Sequence, residues 1–152
     1  MVNRKNHYSW EILQSSQDWL EVRKPKLYVD VVIGVLNGGN YLATVASNIL
    51  NKPLYWVKAE SYSGVDRGAL IFNPLLVSGP VVRDKKVLVV DDLVDSGQTM
   101  NTVIKYVKKW KATSIRGFVF VTKDRAFCHK NNIEYMITEN KDCWIVFPWE
   151  KQ

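Results

Sequence analysis

The stretch from Val87 to Met100, VLVVDDLVDSGQTM, decides the reading of this 152-residue chain. Its first four residues, Val87-Leu88-Val89-Val90, make the kind of apolar run that fills a strand buried on both faces of a sheet. The run stops at two adjacent carboxylates, Asp91 and Asp92. A third, Asp95, opens a polar loop, Ser96-Gly97-Gln98-Thr99, and a segment able to form a helix follows. This order implies a site for a phosphorylated sugar. The first N–H groups of a helix lack intrahelical partners and carry partial positive charge, so they attract phosphate. Gly97 lets the backbone approach the ligand. Ser96 and Thr99 add hydroxyls, and either could cap the helix. Ionised carboxylates only accept hydrogen bonds, so they suit ribose hydroxyls or an oxygen-liganded divalent cation. No Gly-Lys-Ser/Thr follows the loop, which excludes a Walker motif.

Outward from this stretch, the chain alternates helical and strand-like patterns. Ser9 is placed to cap a helix from Trp10 to about Val22, with Trp10, Leu13 and Leu20 on one face and Pro25 at its end. Val29–Leu36 reads as a buried strand, Asn37-Gly38-Gly39 as a turn, and Tyr41–Leu50 as a helix. Leu54–Ala59, Ile115–Val121 and Tyr135–Thr138 read as further strands. Thr99–Trp110 reads as a helix with Val103, Tyr106, Val107 and Trp110 inward. The rhythm predicts an α/β fold with a mainly parallel twisted sheet and helices on both faces. In such sheets ligands sit beyond the carboxyl ends of the strands, near a switch in strand order. The turns after Leu36, Val90 and Val121 would share that edge. Glu60–Arg83 breaks the rhythm, and a connection of this length is often a lid. Within it, Ala69–Val77 is apolar enough for a strand or hairpin.

The length predicts one domain, residues 1–152, with a substantial core. Apolar residues make up 47% of the chain, as in globular proteins. No apolar run reaches membrane-spanning length, and Met1–Lys5 is polar, so the expectation is a cytoplasmic protein without a signal peptide. Cys128 and Cys143 are read as reduced thiols rather than a disulfide or zinc pair. The net charge is +6. Its modest clusters, Arg23–Lys26, Arg83–Lys86 and Lys105–Lys111, read as solvated surface, and positive charge could also steer a polyanionic small molecule. Nucleic acid and membrane are both disfavoured as partners.

Val87–Thr99 resembles the phosphoribosyl-pyrophosphate (PRPP) motif of the type I phosphoribosyltransferases: four apolar residues, two acids, two apolar or small residues, then Asp-Ser/Thr-Gly-x-Thr. The resemblance implies that family's single-domain fold, a flexible hood at about residues 60–83, and a C-terminal base-binding segment at about 139–152. It implies PRPP binding by Asp91, Asp92, Asp95, Ser96, Gly97, Gln98 and Thr99, with Asp95 catalytic and Asp92 near Mg²⁺. The matching turn after the first sheet strand binds pyrophosphate through backbone N–H groups, here at Asn37 and Gly38. The family usually has a basic residue where this chain has Asn37. Arg67 is the candidate hood cation for pyrophosphate.

The purine branch of the family implies the base site. A lysine at a strand end, here Lys123, contacts the 6-oxo group, and an ammonium is a pure donor that selects a keto oxygen. Residues 142–150, DCWIVFPWE, resemble the C-terminal segment of the bacterial xanthine–guanine phosphoribosyltransferases. Trp144 would stack on the base and the Ile145 backbone would read its edge. Trp149 reads as a core aromatic. Tyr8–Gln14 resembles the start of the same group. The implied activity is a purine-salvage pentosyltransferase. It would move the 5-phosphoribosyl group from PRPP to N9 of guanine, xanthine or hypoxanthine, with Mg²⁺ as cofactor, in a dimeric or tetrameric homo-oligomer. Two alternatives stay open: a regulator of the same fold that binds nucleic acid, and a transferase for another nucleobase.

Overall fold

The computed structural model describes residues 4–61, 70–73 and 78–150. The elements run β1 (Lys5–His7), α1 (Trp10–Arg23), β2 (Val31–Leu36), α2 (Asn40–Leu50), β3 (Leu54–Ser61), β4 (Leu70–Asn73) and α3 (Gly79–Val82). Then follow β5 (Lys86–Val94), α4 (Gln98–Lys109), β6 (Ser114–Thr122), α5 (Arg125–Lys130), β7 (Ile133–Thr138) and β8 (Trp144–Val146). Six strands form one sheet in the order β4-β3-β2-β5-β6-β7. Every pairing in it is parallel except β3 with β4. The chain leaves β2 toward β3, then returns to the other side of β2 as β5. The switch in strand order therefore lies between β2 and β5, where the Asn37 turn and the acidic pair both emerge.

The period of two along β5 explains its central place. Leu88 and Val90 face one core, with Leu13 and Leu20 of α1 and Leu42, Ala43 and Ala46 of α2. Val87 and Val89 face the other, with Met100, Val103, Ile104 and Val107 of α4 and Cys128 of α5. A strand covered on both faces can be apolar throughout, as this one is until Asp91. Local signals set the helix ends. The Ser9 hydroxyl accepts from the Ile12 N–H at 3.4 Å to start α1, and a 3-10 turn at Lys24–Lys26, containing Pro25, follows its end. Asn51 closes α2 in the left-handed conformation at φ 53°.

Several expectations change. The Val87–Val90 strand continues to Val94, because β6 pairs with it as far as Val94↔Thr122, so the acidic pair lies inside the strand. Trp10 is 47% exposed rather than in the main core; it stands at the first turn of α1, against Tyr41 and Trp149. Tyr106 lies at the margin of the α4 stripe and is exposed beside Trp110, while Met100 and Ile104 join Val103 and Val107 inside. The strand expected within 69–77 is β4, antiparallel to β3. Strands β1 and β8 join the two ends of the chain as a separate parallel pair. Both cysteines are buried and free. No helix among the described residues is long and apolar enough to cross a membrane.

Candidate active site

The acidic pair lies in the second half of β5, beyond the last residue that β2 pairs with and still within the ladder to β6. Asp91 is 6% exposed, and one of its carboxylate oxygens accepts the Asp92 N–H at 2.8 Å. Burial, then the charge of Asp92, pushes the Asp91 carboxyl well above its usual range. Asp92 is half-buried; burial raises it to about 6, with the carboxylate of Glu150 adding to the rise and the bond with Asp91 opposing it. Glu150 itself accepts the Phe147 N–H at 2.9 Å, which holds it near the site.

The turn after β2 packs directly on this pair. A Cβ on Gly38 would lie 2.3 Å from an Asp92 carboxylate oxygen, and one on Gly39 would lie 2.6 Å from the carbonyl oxygens of Val35 and Val90. At 39 any side chain would press on the backbone of two strands, and at 38 it would displace the Asp92 carboxylate. The Leu36–Asn37 peptide is cis. The sequence places this turn and the acidic stretch at one edge of the sheet, and the structure puts them in direct contact.

Beyond Val94, residues 91–100 line a pocket of about 220 Å³. Gly97 stands at φ 85°, and a side chain there would strike the Phe127 ring at 2.9 Å. From it α4 starts without a side-chain cap, leaving N–H groups at the helix opening for an anion. The Ser96 hydroxyl accepts from the Gln98 N–H at a long 3.4 Å, and Thr99 does not cap.

Lys123 follows β6 and bonds back to the end of β5, its N–H donating to the Val94 carbonyl at 2.8 Å. Its side chain is 6% exposed, and its ammonium lies 3.6 Å from a carboxylate oxygen of Asp95, which is 65% exposed. A buried stem with its charged tip at the pocket rim is a different placement from an ordinary solvent-facing strand end. Trp144 presents a ring that is 61% exposed, while Ile145 is buried. The thiol of Cys143, raised by burial and by Glu139, also feels the Lys123 ammonium, so the start of β8 lies near the lysine. Arg67 lies outside the described residues, as do 62–69 and 74–77 of the expected hood.

Two features escaped the sequence reading. Glu150 comes close to Asp92, although 58 positions separate them in the chain. A pocket of about 480 Å³ adjoins the Asn37-Gly38 turn, walled by Trp10, Tyr41 and Trp149. Trp149 stacks on Phe147 at 4.8 Å and is half-buried, as a core aromatic would be. Aromatic residues near both chain ends were the available signal for this wall.

No group of three or more His, Cys, Asp or Glu side chains forms a metal cage among the described residues. Mg²⁺ does not require one, since it commonly takes one or two carboxylates and completes its shell with water and substrate phosphates. Asp92, with the like charge of Glu150 beside it, is an oxygen donor set that fits such an ion.

A family model described as "Phosphoribosyl transferase domain" matches residues 6–151. A solved purine phosphoribosyltransferase from Pyrococcus horikoshii Ot3 is 29% identical, with a TM-score of 0.82 over 97% of this chain and 95% of that one. A hypothetical protein from Neisseria gonorrhoeae with bound ppGpp is 26% identical, with a TM-score of 0.78 over 99% of this chain and 92% of that one. The orotate phosphoribosyltransferase of Pyrobaculum islandicum is 27% identical over 110 residues, 72% of this chain and 52% of that protein. The chain spans about half the length of the curated relatives it matches.

Proposed function

The chain belongs to the phosphoribosyl transferase family, and from that premise we propose that it transfers the 5-phosphoribosyl group of PRPP to N9 of a 6-oxopurine. Residues 91–99 bind PRPP, with the amides and hydroxyls of 96–99 on the 5′-phosphate and Asp91 and Asp92 on the ribose hydroxyls. The Asn37 and Gly38 amides take the pyrophosphate, joined by Arg67. Asp92 would hold Mg²⁺, which would supply positive charge against pyrophosphate. Residues 1–152 work as one unit, with 60–83 as the hood and 139–152 closing over the base.

The observation that carries the purine reading is the pairing of Lys123 with Asp95, a donor and an acceptor 3.6 Å apart at the rim of the phosphate pocket. A 6-oxopurine carries O6 and N7 side by side on one edge. With the imidazole proton on N7, the base offers an acceptor to Lys123 and a donor to Asp95. As N9 bonds C1′, the C1′–O bond to pyrophosphate breaks and its electron pair leaves with the oxygen. The N7 proton passes to Asp95. No side chain attacks C1′; alignment and charge carry the rate. Trp144 stacks on the base and the Ile145 backbone borders it. The similarity to the Pyrococcus horikoshii purine enzyme and to the ppGpp-bound Neisseria protein supports a purine in this site.

The curated relatives favour a second reading, in which the acceptor is orotate and Lys123 answers its carboxylate. One experiment separates the two. Purified protein with MgCl₂ and PRPP is given guanine, xanthine, hypoxanthine, adenine, orotate or uracil, and nucleotide formation is followed. Products from 6-oxopurines support the first reading. Turnover of orotate alone establishes the second, and pyrophosphate release with none of the bases refutes both.

A further inference from the structure

The fold gathers three basic runs, distant in sequence, onto the amino edge of the sheet, opposite the candidate active site. Segments 23–28, 83–86 and 108–116 hold ten lysines and arginines and one carboxylate, Asp84, and the neighbouring carboxylates Asp30, which accepts the Lys86 N–H at 2.8 Å, and Glu134 leave a surplus of seven. That surplus exceeds the +6 of the whole chain, so the remainder of the molecule is slightly acidic. Most of the chain's net positive charge therefore lies away from the PRPP pocket, where Lys123 is already paired with Asp95.

Hydrogen bonds fix the convergence. The Asp84 N–H donates to the Lys111 carbonyl at 3.0 Å, and the Thr113 N–H to the Lys85 carbonyl at 2.8 Å. Lys86 pairs with Ser114 at the start of β5 and β6. The Arg116 guanidinium donates to the Lys26 carbonyl at 3.3 Å across 90 residues of sequence. Among the described residues, Arg23 is the one cation of the ten held in an ion pair, with Glu134 at 3.1 Å. Cations at the ends of α1 and α4 complement the helix dipoles. Lys86 stands at a strand start with no helix end to serve, and Arg116, near the start of β6, already caps the Lys24–Lys26 turn through the Lys26 carbonyl. Crowding like charges on one edge works against the folded state.

A groove of about 340 Å³ runs through this edge, lined by Val22, Arg23, Lys26, Leu27, Arg116 and Glu134. Tyr28, two residues from Lys26, is 73% exposed. We infer that the amino edge is a docking surface for single-stranded nucleic acid, with phosphates on the converged cations and a base stacked on Tyr28. Leu27 of the groove precedes Tyr28 directly, and an exposed aromatic next to clustered cations is the combination that holds single strands without strong sequence preference. An anionic membrane answers the charge but leaves the groove without a role.

The probe is a labelled single-stranded RNA of mixed sequence, followed by fluorescence anisotropy on the full chain. Four phosphate contacts on a single strand predict about 50-fold weaker binding at ~200 mM than at ~50 mM salt. The variant K24Q/K26Q/K85Q should lower the log–log salt slope by about 2 and keep the PRPP-dependent activity of the parent. Tyr28→Ala should weaken binding about tenfold. Saturating GMP should displace none of the RNA. Any of four results overturns the inference: no binding at low salt, displacement by GMP, an unchanged slope in the triple variant, or tighter binding to phosphatidylserine-rich vesicles than to RNA. All four substituted side chains are exposed, and the parent's own salt slope is read without any variant.

Discussion

Replacing Gly38 and Gly39 by alanine, one at a time, should separate the chemistry of the site from the scaffold that holds it. A Cβ on Gly38 would lie 2.3 Å from one Asp92 carboxylate oxygen and 2.7 Å from the other. Carbon–oxygen contacts settle at about 3.3 Å or more, so the carboxylate must retreat by about 1 Å. It is the tip of a short side chain, and a rotation relieves the overlap without moving the backbone. A 1 Å displacement of a positioned group can cost about 10²-fold in rate, so kcat/KM for PRPP should fall by that factor. The melting temperature should stay within about 2 °C of the parent, equivalent to less than ~1 kcal/mol for a chain of this size. Gly39→Ala meets different atoms: the carbonyl oxygens of Val35 and Val90 at 2.6 Å and the Asp91 Cα at 3.1 Å. These belong to the backbone of the two central strands and cannot turn aside. Overpacking of about 3 kcal/mol corresponds to a fall of roughly 6–12 °C in melting temperature. Thermal melts and initial rates with PRPP and guanine on both variants complete the comparison. Parental kcat/KM in Gly38→Ala would refute the claim that the turn and the acidic pair are one site, and a parental melt in Gly39→Ala would refute the packing argument.

Asp92→Asn should abolish turnover yet stabilise the empty protein at pH 7.5. The folded carboxyl stands near 6 against about 3.8 unfolded, so the native state keeps a proton that the unfolded state releases, and stability falls as pH rises from about 4 to 6. The full difference is on the order of 3 kcal/mol, and urea melts across that range should show the slope flattened in the variant. Lys123→Met keeps the buried stem and removes the donor, so kcat/KM with 6-oxopurines should drop about 10–100-fold with little change in melting temperature; unchanged base selectivity would contradict the role. Asp95→Asn should lower kcat far more than it raises KM for PRPP, and equal changes in both would argue for a binding role instead.

The site was legible where one continuous segment carries it and obscure where the fold assembles it. Val87–Thr99 holds strand, acids, turn and helix start in consecutive positions, so its local geometry follows from local chemistry. The five parallel strands were likewise marked by their apolar runs. Strand β1, Lys-Asn-His, carries no apolar signal, and β8, though apolar, has three residues; each has its partner at the other end of the chain. The approach of Glu150 to Asp92 depends on that same closure. Lys123 was readable as a strand-end lysine, but its ion pair with Asp95 depends on β5 extending to Val94, beyond the end of the apolar run. The three basic clusters looked like ordinary solvated surface in the sequence, since only the return of α1 and α4 to the amino edge brings them together.

The acidic pair sets stability against binding. Two adjacent carboxylates inside a strand covered on both faces are poorly solvated, and Glu150 adds a like charge near Asp92. An empty site near neutral pH therefore favours keeping a proton on the pair. Ribose hydroxyls and a divalent cation are what this arrangement lacks: donors and positive charge against buried anions. Their arrival lets the pair ionise fully, so binding should release protons and the release should fade as pH rises well above 6. Calorimetry of PRPP–Mg²⁺ binding in buffers of different ionisation enthalpy measures that release. If the proton count were zero at pH 6, the pair would already be charged in the empty protein, and the tension between fold and site would not exist.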